Sequence, residues 1–265
     1  MTFDSFLSKI ELQEEVKNKV LNLIDVNKDE YSLYINNLNT KNLSLNTYEL
    51  LEKNYEFDKK NFHILSIYLL AAYDSYFEYK KLGINESIFI ETMKCFTRFI
   101  AECKDKTSEY YFDRGFWTYR QTNMSIFRVG IFEYELLDDC VSLHIPSDVI
   151  LTRENIENSF EMFKEFISNY FPNYIDKKIV CDSWLLSIEL KNYLADNSRI
   201  LLFQSYFEII SHDPNALDFY EWVFKCDKNT QTSQLKEDTS LQKKLKNALI
   251  NGKKIGKSLG ILKKK

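Results

Sequence analysis

The chain has 265 residues, enough for one large domain or two ordinary ones with a substantial buried core. Twenty Phe and 17 Tyr point to an aromatic interior, and only six Gly and three Pro argue against a loop-rich all-β fold. The net charge of −4 is uneven: residues 243–265 hold nine lysines and no acid, which leaves 26 basic and 39 acidic groups on residues 1–242, a body that argues against a nucleic-acid partner.

The first hundred residues read as helices. Phe3, Leu7 and Ile10 start one amphipathic pattern, and Val16, Val20 and Leu23 continue it. Residues 26–57, rich in Asn and Asp, predict short helices joined by loops. Phe62, Leu65, Leu69, Ala72 and Tyr76 mark one helix face, and Phe89, Met93, Phe96, Ile100 and Cys103 another, with Asn85 or Ser87 as its N-cap. The polar break Lys104–Ser108 closes this part.

Beyond it, β-branched and aromatic residues alternate. Ile126 to Leu136 predicts one strand, with Phe127, Val129, Ile131, Glu133 and Glu135 on one face and Arg128, Phe132, Tyr134 and Leu136 on the other. Asp138-Asp139 supplies a turn, and Cys140 to Ile145 returns as a second strand. Pro146 ends that strand, and Thr152 caps a helix with Ile156, Phe160, Phe163, Ile167 and Phe171 on one face and Glu154 and Glu157 in its first turn. A short buried strand is expected at Lys177–Cys181 and a short helix at Ser187–Leu194. Arg199 to Ile210 reads as a helical turn passing into a strand at Tyr206, and Phe219–Cys226 as a further strand. Thr239-Ser240-Leu241-Gln242 is a capping box opening a helix that Asn251-Gly252 closes. The Lys-rich end punctuated by Gly252, Gly256 and Gly260 reads as an irregular tail.

Five cysteines without a CxxC pair suggest reduced thiols and no metal cluster. Met-Thr-Phe-Asp-Ser-Phe lacks the basic start of a secretion signal, and the longest apolar stretch, His63–Tyr73, is too short to span a membrane. The expectation is a cytoplasmic protein with no membrane partner.

The 126–145 hairpin holds the main chemical signal. A two-residue turn pairs Leu137 with Cys140, which sets Glu133 opposite His144 and Glu135 opposite Ser142. Opposed residues have Cβ atoms ~5 Å apart, so Glu133, Glu135 and His144 form a cluster able to take a proton from a nucleophile. A solvated polar sheet face carrying an ordinary Glu–His pair fits the same spacing. Cys181 is either a nucleophile or a buried structural thiol. Trp184 is either a core anchor or a pocket wall, and Ser183 either orients a substrate or caps the next turn. Gln204, within an apolar run, clamps backbone or contacts substrate. Arg128 is better placed to pair with an acid of the helical part and enters the substrate-binding set last. No P-loop, dinucleotide fingerprint, HExxH or GxSxG is present.

Several segments together resemble a bacterial family of N-acyltransferases with a helical N-terminal domain and a GNAT-like C-terminal domain. They are Phe127-Arg128-Val129-Gly130 running into Tyr134-Glu135, His144-Ile145-Pro146 with the helix bearing Ser159, and Cys181-x-Ser183-Trp184-Leu185-Leu186. Ser198-x-Ile200 with Phe203-Gln204 and Phe207, the Thr239–Gln242 box and the Gly252/Gly256/Gly260 end follow in order. The matches run from about residue 114 onward, whereas the first part matches mainly in length and helical character.

The resemblance implies an α+β protein with a helical domain at 1–105 and a GNAT-like mixed α/β domain at 106–265. It implies acyl transfer from acyl-CoA as co-substrate, without a metal, to a small-molecule acceptor of the amine type. Glu135 and His144, with Glu133 beside them, would act as base and orienter. Ser183, Trp184, Gln204 and Arg128 would contact substrate, and Lys253, Lys254 and Lys257 would lend charge to coenzyme binding. One departure stands out: the family's glycine-rich pyrophosphate loop has no counterpart, since Ile145–Thr152 contains no Gly. That departure motivates the alternative of a non-catalytic GNAT-shaped small-molecule-binding or regulatory module.

Overall fold

A computed structural model describes residues 1–263. The chain divides into two compact units, Met1–Val129 and a second from Gly130 onward. The first consists of helices α1 (Phe3–Lys9), α2 (Glu14–Leu38), α3 (Lys41–Asn54), α4 (Phe62–Lys81), α5 (Glu86–Met93), α6 (Cys95–Thr107) and α7 (Gly115–Thr122), and ends in strand β1 (Ile126–Val129).

Helix α4 is buried on most of its surface, from Phe62 and Ile64 to Tyr76 and Tyr79, as expected of a central helix that is apolar nearly all round. Aromatic rings knit its surroundings: Tyr79 meets Phe89 at 5.1 Å and Phe127 at 5.6 Å, and Phe6 meets Phe89 at 5.6 Å. The Tyr68 hydroxyl donates to the Gly115 carbonyl at 2.9 Å and ties α7 to this core. The Asn-rich stretch 26–57, expected as short helices joined by loops, is the second half of one long helix and the whole of α3. Helix α2 runs 25 residues with one non-helical residue, Asn27, whose side-chain amide donates to the Leu23 carbonyl at 2.8 Å and so answers the local break. Its buried Val16, Val20, Tyr31 and Leu38 carry the helix through a polar composition, because tertiary packing outweighs propensity. The pattern at 89–103 belongs to two helices that break at Lys94, with Asn85 capping α5 by accepting from Ser87 N.

The second unit contains β2 (Phe132–Leu136), β3 (Cys140–His144), α8 (Arg153–Tyr170), β4 (Lys178–Ser183), α9 (Arg199–Ser205), β5 (Phe207–Asp213), α10 (Ser240–Ile250) and β6 (Lys257–Leu262). Its strands run in the order β2-β3-β4-β6-β5. β3 and β4 are parallel, with α8 in the crossover, and the other three pairs are antiparallel.

Thr152 caps α8 by accepting from Asn155 N at 3.2 Å, and the helix buries Ile156, Ser159, Phe163, Phe166 and Ile167. Tyr134 stacks on Phe163 at 3.7 Å and Phe132 on Phe160 at 5.7 Å, each such pair adding about 0.5–1.5 kcal/mol beyond its buried area. With Phe132 and Tyr134 turned to α8, the two-residue period of a strand sends Glu133 and Glu135 to the opposite face.

Three expectations are corrected here. Ile126–Leu136 is two strands, because Gly130 adopts φ +63° and a Cβ there would lie 2.5 Å from the Ser159 hydroxyl, which accepts from Ile131 N. Phe219–Cys226 is no strand: Tyr220–Phe224 forms one π-helical turn, and Phe219, Tyr220 and Phe224 fill a small core with Leu190, Leu235, Leu245, Ala248 and Ile255. The glycine-rich end is no irregular tail: β6 lies between β4 and β5. Gly260 permits this, since a Cβ would come within 3.0 Å of Leu186 Cδ1 and Phe207 Cβ.

Gly256 adopts φ +68°, and a Cβ there would sit 2.1 Å from the Asp213 carbonyl oxygen, whereas Gly252 at φ +71° has open space around it. Gly252→Ala should therefore lose about 1–2 kcal/mol of unfolding free energy from the left-handed backbone alone. Gly256→Ala should lose clearly more, because backbone must move. Urea denaturation compares the two, and equal losses would refute the close approach.

Candidate functional site

The hairpin pairs Glu133 with His144, Tyr134 with Leu143, Glu135 with Ser142 and Leu136 with Val141, the register its turn predicts. Leu137 N donates to the Cys140 carbonyl at 3.0 Å and closes the turn at Asp138-Asp139. Lys177 reinforces it by donating to the Asp138 carbonyl at 2.6 Å. His144 Nε2 lies 3.1 Å from Glu135 Oε2, with both side chains largely buried. Glu133, directly opposite His144, is buried. A carboxylate at this distance fixes the orientation of the imidazole ring.

The backbone beside this pair is interrupted. β3 and β4 pair at Cys140–Lys178, Val141–Ile179 and Ser142–Val180, and no pairing is made beyond that point among the described residues. β3 nevertheless continues to His144 and β4 to Ser183, while β4 stays joined to β6 through Cys181–Gly260, Asp182–Leu259 and Ser183–Ser258. Two parallel strands thus part at Ser142/Val180, with His144 at the mouth of the wedge. Strand edges that stop pairing in this way can bind an extended ligand by adding hydrogen bonds as a strand would.

The sequence-expected residues around Trp184 make a rigid turn. Ser183 Oγ accepts from Leu185 N at 3.1 Å and opens a 3-10 turn at Trp184–Leu186. The Gln204 amide donates to the Leu185 carbonyl at 2.8 Å and the Ser187 carbonyl at 3.0 Å, the backbone clamp that its place in an apolar run allows. Trp184 is half-buried and packs against the small core around Leu190 and Phe219. Arg128 is buried in β1 and belongs to the first unit.

Lys253 is exposed, and Lys254 donates to Asn215 Oδ1 at 2.6 Å. Lys257 lies on β6, its ammonium 2.8 Å from Asp182 Oδ2, and that hydrogen bond raises the lysine's pKa. No role for Asp182 is legible without β6, although the residue stands inside the Cys181–Leu186 motif. The Cys181 thiol is fully buried, and burial, with Asp182 adding to it, pushes its pKa far above that of a free thiol, which argues against a nucleophile. Among the described residues no group of three or more His, Cys, Asp and Glu is arranged to hold a metal ion, and no helix is long and apolar enough to cross a membrane.

The family model of the GNAT-like C-terminal domain matches residues 89–262, and that of the N-acyltransferase N-terminal domain matches residues 1–124. The chain belongs to the GNAT-like C-terminal domain family. No curated protein matches it significantly. Among solved structures it is similar to an acyltransferase in complex with decanoyl-CoA and teicoplanin, at 16% identity and a TM-score of 0.80 over 97% of this chain and 86% of that one. An acyltransferase in complex with CoA and 10C-teicoplanin gives 16% identity and a TM-score of 0.79 over 98% and 86%. A third, in complex with decanoyl-CoA, gives 22% and 0.68 over 75% and 64%. At these identities the likeness is one of fold, and it covers both the helical part and the GNAT-like sheet.

Native protein treated with iodoacetamide at neutral pH should leave Cys181 unmodified until the fold is opened with denaturant, as peptide mass spectrometry would report. Rapid labelling of Cys181 in the folded state would contradict the burial of the thiol.

Proposed function

We propose that the protein is an acyltransferase that moves an acyl group from acyl-CoA to an amine-type acceptor. The observation that carries this reading is the position of the Glu135–His144 pair at the point where β3 and β4 part. Membership of a GNAT-like family supports it, as do the similar acyltransferases whose structures contain decanoyl-CoA or CoA. In this reading the division of labour runs between a helical domain, residues 1–105, and a GNAT-like domain, residues 106–265, in which the chemistry lies.

Acyl-CoA, when bound, supplies an acyl group activated as a thioester. Its pantetheine arm carries two amides that can add to the strand edges where β3 and β4 stop pairing. As the acceptor nitrogen bonds to the carbonyl carbon, the Glu135–His144 pair takes the proton the amine must lose; the C–S bond then breaks and the pair returns that proton to the sulfur, which departs as coenzyme thiol. Glu133 lies opposite His144 on the neighbouring strand and completes the polar cluster. Backbone N–H groups at the wedge are suited to the developing oxyanion. Ser183 and Gln204 hold the turn that presents Trp184, and the indole forms a wall for the acyl or acceptor group. For the coenzyme phosphates, the first-turn N–H groups of α8 replace the missing glycine loop, with Lys253 and Lys254 adding charge. The same reading places the protein in the cytoplasm, with its donor.

The glycine-free segment Ile145–Thr152 favours a second reading, a module that binds a small molecule without chemistry. The two part on a simple measurement. Glu135→Gln should keep the wild-type melting temperature and lower kcat with decanoyl-CoA by about 10²–10⁴; an unchanged kcat would remove Glu135 from the mechanism. Wild-type protein should melt higher with decanoyl-CoA present, and the binding-module reading gains if it does not. Mass spectrometry of molecules that co-purify with the protein would identify the acceptor.

A further inference from the structure

Asp182 and Lys257 are left without a part in the reaction as described, yet they occupy the other side of the same wedge. The β3–β4 register, carried two residues past its last pair, brings Asp182 opposite His144. Residues opposed in this way share a sheet face, so Asp182 stands on the face that bears Glu135, Ser142 and His144. The two strands are no longer paired at that level. On one flank the Glu135 carboxylate holds the His144 ring; on the other the Lys257 ammonium, reaching across from β6, holds the Asp182 carboxylate at 2.8 Å. Half of the Asp182 side chain remains exposed, and Lys257 satisfies only one of its two oxygens.

The geometry points to Asp182 as the group that recognises the acceptor, taking the incoming amine in its ammonium form, with Lys257 as the residue that positions the carboxylate. A primary amine is protonated in neutral water, and a half-exposed carboxylate binds that cation and discriminates against a neutral alcohol of the same shape. From there the ammonium loses one proton to solvent, and as the free amine attacks the thioester carbon the Glu135–His144 pair takes the second and passes it to the departing sulfur. Lys257 prevents the carboxylate from turning out to solvent. This inference rests on the acyltransferase reading and adds the acceptor's charge to it.

The test uses decanoyl-CoA with n-butylamine or n-butanol as matched acceptors, following release of coenzyme thiol. Wild-type protein should use the amine far better than the alcohol. Asp182→Asn should raise the KM for butylamine about tenfold with little change in kcat, and should leave the Kd for decanoyl-CoA unaltered by calorimetry. Lys257→Met should shift the same KM in the same direction, and Lys257→Arg should restore it. An Asp182→Asn protein with the wild-type KM, a wild-type protein indifferent to amine against alcohol, or a Lys257→Met defect confined to kcat would each overturn the inference. Absence of thiol release from wild-type protein with either acceptor would instead overturn the acyltransferase reading beneath it.

Discussion

The packing of β2 against α8 sets the phase of everything chemical in the second unit. Tyr134 on Phe163 and Phe132 on Phe160 commit alternate residues of the strand to the helix. A strand has only two faces, so the same contacts commit Glu133 and Glu135 to the other one. Slipping the strand by one residue would bury two carboxylates against phenyl rings, a penalty of several kcal/mol per charge, and would dismantle the pair with His144. The aromatic stack therefore does more than stabilise: it decides which side of the sheet carries reactivity. Ser159 contributes at the same place, accepting from Ile131 N at the tight turn that Gly130 makes possible.

The wedge is the second consequence of sheet order. Parallel β3 and β4 diverge after three pairs, and β4 can afford to lose that neighbour because β6 holds its other edge over four consecutive pairs. Glycines at 256 and 260 let β6 come close enough to do so. The Asp182–Lys257 ion pair thus depends on a strand drawn from the lysine-rich end of the chain.

Much of this was legible in residue order. Alternation around two adjacent aspartates revealed the hairpin, its register, and hence the Glu135–His144 meeting. Thr152 and Thr239 announced their helices through side chains that accept from the N3 amide. Gln204 was marked by an amide in an apolar run that needs partners, and it has them in two carbonyls. The failures share a cause, that local composition was overruled by tertiary partners. Gly256 and Gly260 look like breakers until Asp213 and Phe207 are brought against them. The aromatic run at 219–226 resembles a strand, but its rings serve a separate small core under a π-helical turn. Asn-rich α2 is helical because Val16, Val20, Tyr31 and Leu38 are buried along it. The Asp182–Lys257 contact joins residues far apart in sequence and is invisible until β6 is recognised as a strand. The general function came from family resemblance rather than from any single spacing.

The location of β6 also constrains how the molecule comes into being. During synthesis β4 and β5 emerge well before the strand that separates and joins them, since residues 214–256 intervene. Until β6 arrives, β5 has no sheet neighbour and one margin of β4 is open, an interval in which naked strand edges invite the wrong associations. Nascent chains halted before residue 257 should be clients of cellular chaperones, and the sheet can be completed only as one late, long-range event.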